Sequence, residues 1–297
     1  MENAALRDSP RRSSTIDHVA DTAYWVAWYR VLETQRPDAL FRDPLAARLV
    51  GDRGRTIAQS MGVEARYTQW TLVMRTRVID ALIEQLFAEG YRTVINIGAG
   101  LDTRPYRLAM PSSVHWIELD FPAVMRGKEV SLADEAPHCR LERIGVDLTN
   151  GSERRRTFDA LAARVGPAVV LTEGVMPYLT EALAEELARD LRRSGKFERW
   201  ITEYYSPKLY KRFQNEGFKR RMGGAPFRFF PEDFFALMAK AGWERQALRY
   251  LFDEGESTGR TFPMPGPIRL LLRVLAGKRR FAEAMRLQSY VVLRPGS

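Results

Sequence analysis

The pattern of hydrophobic and polar positions along the chain changes at Tyr91. Before it, apolar residues recur every three to four positions over residues 17–33 and 64–89, which predicts two amphipathic helices. After it come short, nearly all-apolar, β-branched runs, which are typical of strands buried on both faces of a parallel sheet. The predicted strands are residues 93–97, 114–119, 141–146, 168–172 and 200–204, with a last one over residues 288–293.

Helical segments separate several of these runs. The clearest covers residues 180–194, with Thr180 as its N-cap and Gly195 as its stop, and another is predicted over residues 231–241. Such alternation predicts right-handed βαβ units in an α/β fold, with a doubly wound, mostly parallel sheet of seven strands. The expected organisation is a loose tail (1–16) and a single domain (17–297) made of a helical cap (17–90), cofactor-binding strands (91–205), and a lid with the C-terminal strands (206–297).

The composition narrows the class of protein. Hydrophobic residues make up 45% of the 297 residues, which is enough to build a substantial core. The single cysteine, Cys139, excludes a disulfide scaffold, and with only three histidines we expect no metal site. The N-terminus lacks the apolar stretch of a secretory signal, and no apolar run is long enough to span a bilayer. We therefore expect a cytoplasmic protein without a membrane partner.

Positive charge is concentrated towards the C-terminus. The formal net charge is +9; residues 208–228 hold seven basic groups and one acidic group, and residues 245–297 hold ten and four. A solvated, arginine-rich surface is the plainest interpretation. A nucleic-acid-binding face and a lid that attracts an anionic substrate are the alternatives.

A glycine turn directly follows the first predicted strand. Residues 98–103 (GAGLDT) stand beyond the carboxyl end of that strand, where ligands bind in open α/β sheets, and glycine lets the backbone approach a ligand closely. A dinucleotide-binding turn has a third glycine at the position of Thr103, and the Gly-Lys-Ser/Thr sequence of a P-loop is absent. The turn therefore favours an adenosyl ligand without phosphate groups.

Acidic residues follow three further predicted strands. Asp120 lies 22 residues beyond Gly98, near the spacing at which a carboxylate accepts hydrogen bonds from both ribose hydroxyls, and Glu118 shares its face of the strand. Asp147, after the third strand, can accept from an adenine amine, and Glu173 follows the fourth strand. Since the carboxyl ends of parallel strands share one edge of a sheet, we expect these acids to gather around the glycine turn.

Six short segments together resemble a known family. They are residues 21–25 (DTAYW), 40–44 (LFRDP), 74–77 (MRTR), 96–104 (NIGAGLDTR), 118–122 (ELDFP) and 172–179 (TEGVMPYL). Over about residues 17–205 the chain resembles the leucine carboxyl methyltransferases, a branch of the class I S-adenosylmethionine-dependent methyltransferases that includes many bacterial polyketide and small-molecule O-methyltransferases. The resemblance implies a Rossmann-like methyltransferase sheet and S-adenosylmethionine as cofactor.

The resemblance also implies roles for individual residues on the cofactor. Gly98 and Gly100 would lie against its methionyl part, Asp120 would hold the ribose, Asp147 and Leu148 the adenine, and Glu173 would lie near the sulfonium and amino end.

Two arginines of the long N-terminal helix are candidates for the remaining cofactor contact. The resemblance implies that Arg75 pairs with the cofactor carboxylate, and Arg77 is the alternative if the register is shifted by two residues. Eukaryotic members of the family also use a lysine near the N-terminus. No lysine precedes Lys128 in this chain, and Arg30 is the candidate replacement.

The methyl acceptor decides how much chemistry the protein must perform. A carboxylate is already ionised at neutral pH and needs only orientation and desolvation, whereas a hydroxyl group needs a general base. His18 is the histidine considered for that role, and Tyr178 and Tyr204, together with Tyr205, are candidates to hydrogen-bond the acceptor. Histidines are few, and arginines crowd the predicted lid, which favours a carboxylate. These arginines are Arg212, Arg220, Arg221 and Arg228.

The sequence thus predicts an S-adenosylmethionine-dependent O-methyltransferase that acts on a small molecule, more readily on a carboxylate than on a hydroxyl group. A phenol or alcohol O-methyltransferase of secondary metabolism is the first alternative. An NAD(P)-binding reductase is disfavoured by Thr103 and by the lack of a Tyr-x-x-x-Lys pair. A nucleic-acid methyltransferase is disfavoured because residues 173–176 (EGVM) replace its acid-or-Asn-Pro-Pro-aromatic motif. A non-enzymatic binding module and the oligomeric state stay open.

Overall fold

Seven strands form a single sheet in the computed structural model, which describes residues 19–60 and 65–296. The strands are β1 (Thr93–Ile97), β2 (His115–Asp120), β3 (Arg140–Gly145), β4 (Ala168–Thr172), β5 (Phe197–Tyr205), β6 (Trp243–Tyr250) and β7 (Gln288–Pro295). Their order is β3-β2-β1-β4-β5-β7-β6, and β7 runs antiparallel to both of its neighbours. The other neighbouring pairs are parallel. The predicted α/β fold with a mostly parallel, seven-stranded sheet is confirmed.

Helices flank this sheet. The N-terminal ones are α1 (Val19–Thr34), α2 (Pro44–Ser60) and α3 (Ala65–Ala88). Those that alternate with the first five strands are α4 (Arg104–Arg107), α5 (Pro122–Ser131), α6 (Gly151–Ala162) and α7 (Glu181–Arg193). Those that follow β5 are α8 (Pro207–Phe213), α9 (Glu216–Met222) and α10 (Phe234–Lys240), and those between β6 and β7 are α11 (Leu251–Ser257), α12 (Gly266–Ala276) and α13 (Lys278–Met285). Within the described ranges, no helix has the length and apolar character needed to cross a membrane.

Local patterns located some elements better than others. β1 and β4 match their predictions residue for residue, because both are mostly apolar and almost fully buried. β6 was missed, since its sequence (WERQALRY) is polar and half exposed at the edge of the sheet. The helix predicted to begin at Pro231 begins at Phe234, because the Asp233 side chain accepts a hydrogen bond from the Ala236 N–H and caps α10 there.

The core lies in two layers, one on each face of the sheet. On one face Met74 and Val78 of α3 pack with Val94 of β1. On the other face Leu191 of α7 packs with Ile95, the next residue of β1. Burying each such side chain stabilises the fold by about 1.5–3 kcal/mol. The two layers therefore hold the carboxyl ends of the strands in fixed positions.

The helix α1 ties the cap to the glycine turn. Arg30 donates a hydrogen bond to the Leu101 carbonyl (2.5 Å) and forms an ion pair with Asp43 (2.8 Å). Ala23 approaches the turn so closely that a Cβ placed on Gly100 would lie 3.4 Å from the Ala23 Cβ. The cap thus lies directly over the turn, and Arg30 contacts the backbone of the turn itself. The predicted tail, residues 1–16, lies outside the described residues.

Candidate active site

The glycine turn lies where the carboxyl ends of β1, β2 and β4 meet. Gly98 and Gly100 have φ values of 67° and 45°, which residues with a side chain rarely adopt. A Cβ on Gly98 would in addition lie 2.5 Å from Cγ2 of Val175, in the loop after β4. Position 98 therefore requires glycine on two counts, and the turn presents bare backbone to the loop after β4.

Asp120 closes this turn from the end of β2. Its Oδ2 accepts a hydrogen bond from the Gly100 N–H (2.7 Å), and its Oδ1 accepts one from the Phe121 N–H (2.7 Å). Burial raises the pKa of this carboxyl group, although the two N–H groups act to lower it. Each carboxylate oxygen has a further lone pair. Asp120 can therefore hold the turn and still accept hydrogen bonds from the hydroxyl groups of a ribose.

Glu118, two residues earlier, has a different role. It is fully buried, and it forms ion pairs with Lys128 of α5 (2.7 Å) and Arg143 of β3 (3.0 Å). Burying this carboxylate is tolerable only because it pairs and hydrogen-bonds with both cations. This triad braces β2 against its neighbours beneath Asp120.

The turn after β3 is held by two separate contacts. Asp147 Oδ1 accepts hydrogen bonds from the N–H (2.9 Å) and the hydroxyl group (2.7 Å) of Thr149. The Leu148 carbonyl accepts one from Arg154 (3.0 Å), which is buried and paired with Asp190 (2.7 Å). Asp147 and Leu148 therefore occupy a rigid turn at the carboxyl edge of the sheet.

Arg104 connects acids that are far apart in the sequence. This arginine is 1% exposed, and it forms ion pairs with Asp80 (2.6 Å), Asp102 (2.7 Å) and Glu173 (2.7 Å). Arg75 donates a hydrogen bond to the other oxygen of Glu173 (2.8 Å). Burial by itself would raise the pKa of Glu173, but the two guanidinium groups outweigh it and hold that pKa below its usual value. Glu173 is therefore an ionised carboxylate at the end of β4.

The structure separates the two candidate arginines of α3. The Nη1 atom of Arg75 lies 3.5 Å from the position that a Cβ on Gly174 would occupy, in the loop after β4. Arg77 lies 3.5 Å from Glu254 of α11. Arg75 is thus the arginine beside Glu173, whereas Arg77 links α3 to α11.

The candidate acceptor-binding residues do not all come together. Tyr178 forms a hydrogen bond with Thr22 of α1 and packs edge-on against Phe227, with 5.3 Å between ring centroids. Burial raises the pKa of Tyr178, so its hydroxyl group is protonated at neutral pH. Tyr178 therefore lies between the cap and the segment after α9. His18, the candidate general base, lies outside the described residues.

Tyr204 is placed on the opposite face of the sheet. Both it and Tyr205 lie within β5, which extends one residue beyond the predicted strand over residues 200–204. Tyr204 stacks on Phe235 (5.1 Å between ring centroids) in the core layer that α7 and α10 share. Neighbouring residues of a strand point to opposite faces, so Glu203 and Tyr205 point away from the side of Tyr204. Both of them interact electrostatically with Tyr178. The structure therefore does not bring Tyr204 together with Tyr178.

Glu203 is an acid that the sequence patterns did not single out. It lies in β5 and is 2% exposed. Its Oε1 accepts a hydrogen bond from the Met176 N–H (3.0 Å), while its Oε2 has no hydrogen-bond partner in the part of the chain that the structure describes. Burial raises the pKa of Glu203 to about 7, against the opposing charge of Arg75. A buried carboxyl group with such a pKa can exchange a proton near neutral pH.

The basic residues of the predicted lid lie at the surface. Arg212 packs over the ring of Tyr67 (5.0 Å to the ring centroid), and Arg220 and Arg228 are exposed. The side chain of Arg221 lies outside the described residues. This arrangement agrees with the plainest interpretation of the charge, a solvated surface.

Taken together, these residues fit an adenosyl cofactor that ends in an amino acid. The turn offers bare backbone, Asp120 offers acceptors for a ribose, and the Arg75–Glu173 pair offers one partner for a carboxylate and one for an ammonium group. Over residues 19–60 and 65–296, no three His, Cys, Asp or Glu residues are grouped so as to hold a metal ion.

Comparison with known proteins decides the family. A model of the leucine carboxyl methyltransferase family matches residues 23–192, more than half of the chain. The chain belongs to the leucine carboxyl methyltransferase family. The matched region of this family member contains the glycine turn and the acids up to Glu173, whereas Glu203 and the segment after β5 lie beyond it.

The chain is similar to proteins from two Streptomyces species. Both are named putative S-adenosyl-L-methionine-dependent methyltransferases. One from Streptomyces coelicolor is 32% identical over 237 residues, which cover 75% of this chain and 82% of the relative. One from Streptomyces avermitilis is 30% identical over 257 residues, which cover 82% and 89%.

Solved structures show the same fold in distant proteins. A DUF574 family protein from Streptomyces avermitilis superposes with a TM-score of 0.57 at 13% identity, over 92% of this chain and 97% of that chain. A putative methyltransferase from Thermobifida fusca does so with a TM-score of 0.55 at 12% identity, over 96% and 97%. The Rossmann-like methyltransferase fold and the family expected from the sequence motifs are both confirmed.

Proposed function

We propose that this protein transfers the methyl group of S-adenosylmethionine to a hydroxyl oxygen of a small molecule. Its family and its relatives establish the coarser statement: the protein is an S-adenosylmethionine-dependent methyltransferase. When bound, the cofactor supplies a methyl group attached to a positively charged sulfur atom. The proposal that the acceptor atom is an oxygen, and that it belongs to a hydroxyl group, rests on the geometry of the site.

The carboxyl edge of the sheet is proposed to hold the cofactor. The backbone at Gly98 and Gly100 would lie against its methionyl part, Asp120 would accept from the ribose, and the turn of Asp147 and Leu148 would meet the adenine. Arg75 would pair with the carboxylate of the cofactor and Glu173 with its amino group. The lowered pKa of Glu173 supports this last role, since an ammonium group needs an ionised partner.

Glu203 is the residue that favours a hydroxyl acceptor over a carboxylate, because it can act as a general base. A hydroxyl group must lose its proton as its oxygen attacks, and the most effective base has a pKa near the working pH. Glu203 has such a pKa, and the Met176 N–H fixes its orientation through Oε1, which leaves Oε2 to take the proton. Tyr178, whose titration the charge of Glu203 also affects, is proposed to hydrogen-bond the acceptor oxygen.

A carboxylate acceptor, favoured by the sequence, is the second candidate. The seven basic groups of residues 208–228 favour a carboxylate, because they could attract an anion. Arg220 and Arg228 are exposed, however, and the buried charged groups that act on Tyr178 are one cation, Arg75, and one acid, Glu203. Arg75 already pairs with Glu173 (2.8 Å), so it is a poor partner for a carboxylate acceptor, whereas a neutral hydroxyl group needs no such partner.

The two candidates differ in the stability of their product. Libraries of phenols, alcohols and carboxylic acids would be incubated with the wild-type protein and methyl-labelled S-adenosylmethionine. We expect a product that keeps its label through mild alkaline hydrolysis, because a methyl ether resists base and a methyl ester does not. Release of the label by alkali would replace the hydroxyl acceptor with a carboxylate.

Replacement of Asp120 tests the cofactor-binding site separately. Asp120→Ala should weaken the binding of S-adenosylhomocysteine by about ten- to a hundredfold, because the ribose loses a charged acceptor. Isothermal titration calorimetry measures this affinity. The control Asp159→Ala removes an exposed carboxylate paired with Arg193 (3.0 Å) and should bind like the wild type. Unchanged affinity in Asp120→Ala would remove the ribose assignment, and no binding to the wild type would contradict the proposed site as a whole.

A further inference from the structure

The helix α12, in the long connection between β6 and β7, exposes an apolar stripe. None of its residues is buried. Six of the eight exposed large hydrophobic residues in the described part of the chain belong to it. This α12 stripe consists of Ile268, Leu270, Leu271, Leu272, Val274 and Leu275. Contiguous exposed apolar surface of this kind marks an interaction site, because it costs free energy to leave it in water.

The orientation of α12 is the reverse of that of an ordinary surface helix. A surface helix usually turns its apolar side to the core and its charged side to water. In α12, Arg269 and Arg273 lie one turn apart, and each lies 3.9 Å from Glu256 of α11. The polar side of α12 therefore faces the body of the protein, and the α12 stripe faces away from it.

The charge around the stripe identifies its partner. Residues 266–280 contain no acidic residue, and besides Arg269 and Arg273, which face Glu256, they contain three basic residues. These three, Lys278, Arg279 and Arg280, are exposed in the first turn of α13. In a symmetric dimer each copy would present the same cations to the other, which is repulsive. An anionic lipid headgroup layer offers the complementary charge together with an apolar boundary.

The length of α12 agrees with a helix that lies in the plane of a membrane. Its 11 residues extend over about 16 Å, roughly half the thickness of the hydrocarbon core, so it cannot cross a bilayer. Amphipathic helices that lie on a membrane bury their apolar side at the boundary between headgroups and acyl chains, and here the exposed cations come from the adjoining first turn of α13. We propose that α12 and the first turn of α13 form a docking surface for an anionic phospholipid bilayer, in place of the expectation that the protein has no membrane partner.

Sedimentation with vesicles tests this proposal on the full-length protein. We expect the wild type to bind vesicles of phosphatidylcholine and phosphatidylglycerol, and to bind pure phosphatidylcholine at least about tenfold more weakly, since each basic residue contributes about fivefold on an anionic surface. Binding should weaken as the salt concentration rises, because salt screens this attraction.

Two matched variants assign the binding to the stripe. Val274→Glu places a charge in the stripe and should weaken vesicle binding at least about tenfold. Val130→Glu alters a valine of similar exposure on α5 (78%, against 72% for Val274) and should bind like the wild type. Circular dichroism and binding of S-adenosylhomocysteine verify that both variants are folded. These readouts do not depend on the methyl acceptor.

Three results would overturn the proposal. The first is a wild-type protein that stays in solution with both kinds of vesicle. The second is equal vesicle binding by Val274→Glu and the wild type. The third, seen by analytical ultracentrifugation, is a wild-type dimer that Val274→Glu converts to a monomer and that does not bind vesicles, which would assign the α12 stripe to a second copy of the chain.

Discussion

Glu203→Gln is expected to lower the rate of methyl transfer by about a hundred- to ten-thousandfold, the usual contribution of a general base. Glutamine keeps the shape of the side chain and can still accept the hydrogen bond from the Met176 N–H, but it cannot take a proton from the acceptor. In the wild type the rate should rise with pH through about 7, as Glu203 loses its proton and becomes a base. The variant should lack this rise. Initial rates with labelled cofactor between pH 5.5 and 9 measure both effects.

A loss of stability would not explain this result. The pKa of Glu203 is raised in the folded protein, so the folded state favours the protonated carboxyl group and loses that stabilisation as the pH rises through about 7. Glutamine resembles the protonated form. Glu203→Gln should therefore be at least as stable as the wild type at pH 8, which thermal unfolding can verify.

A matched variant is the control for this test, and a negative result would point to another class of acceptor. Glu198→Gln changes a glutamate at the other end of β5, where it accepts a hydrogen bond from the Tyr91 hydroxyl group (3.1 Å), and should keep the rate within a few-fold of the wild type. If Glu203→Gln retains the wild-type rate and pH profile, Glu203 is not the base. The acceptor would then be one that needs no base, such as a carboxylate.

Arg104→Met is expected to reduce the free energy of unfolding by about 3–5 kcal/mol, the cost of breaking a buried ion-pair network by removing one partner. Methionine fills a similar volume, but Asp80, Asp102 and Glu173 would lose their shared cation. Urea unfolding at pH 7.5 gives the change in free energy. Arg104→Lys keeps the charge without the planar fork and should lose less.

The pH dependence of this loss reports its electrostatic origin. Burial by itself would raise the pKa of Asp102, but Arg104 and further cations hold it well below its usual range. The stabilisation from such a carboxylate is complete above its unfolded-state pKa and disappears as the pH falls through the folded-state pKa. The difference between the wild type and Arg104→Met should therefore narrow in acid.

A surface pair provides the control for Arg104. Arg189→Met removes the exposed i,i+4 partner of Glu185 on α7, and should cost less than about 1 kcal/mol. A loss of that small size in Arg104→Met itself would mean that the buried network contributes little net stability. An Arg104→Met protein too unstable to purify would agree with the prediction, and Arg104→Lys would then supply the measurement.

Much of the fold was predictable because its signals are local. β1 and β4 are each read from a run of five mostly apolar residues, and the glycine turn from its place directly after β1. The polar edge strand β6 and the helix α12 were not predicted. The pairing of β6 with β7 does not require an apolar run, and the apolar residues of α12 do not face the core.

The sequence by itself determined the strand–helix alternation, the glycine turn and the family, because these depend on residues that are neighbours along the chain. Tertiary structure decided the charged interior of the site. Arg104 meets Asp80 and Glu173 across 24 and 69 residues, and no local pattern specifies which acid an arginine will find. It also decided that Glu203, and not Tyr204, shares the surroundings of Arg75 and Glu173. Adjacent residues of a strand point to opposite faces, and the elements packed on each face determine which one is buried among charges.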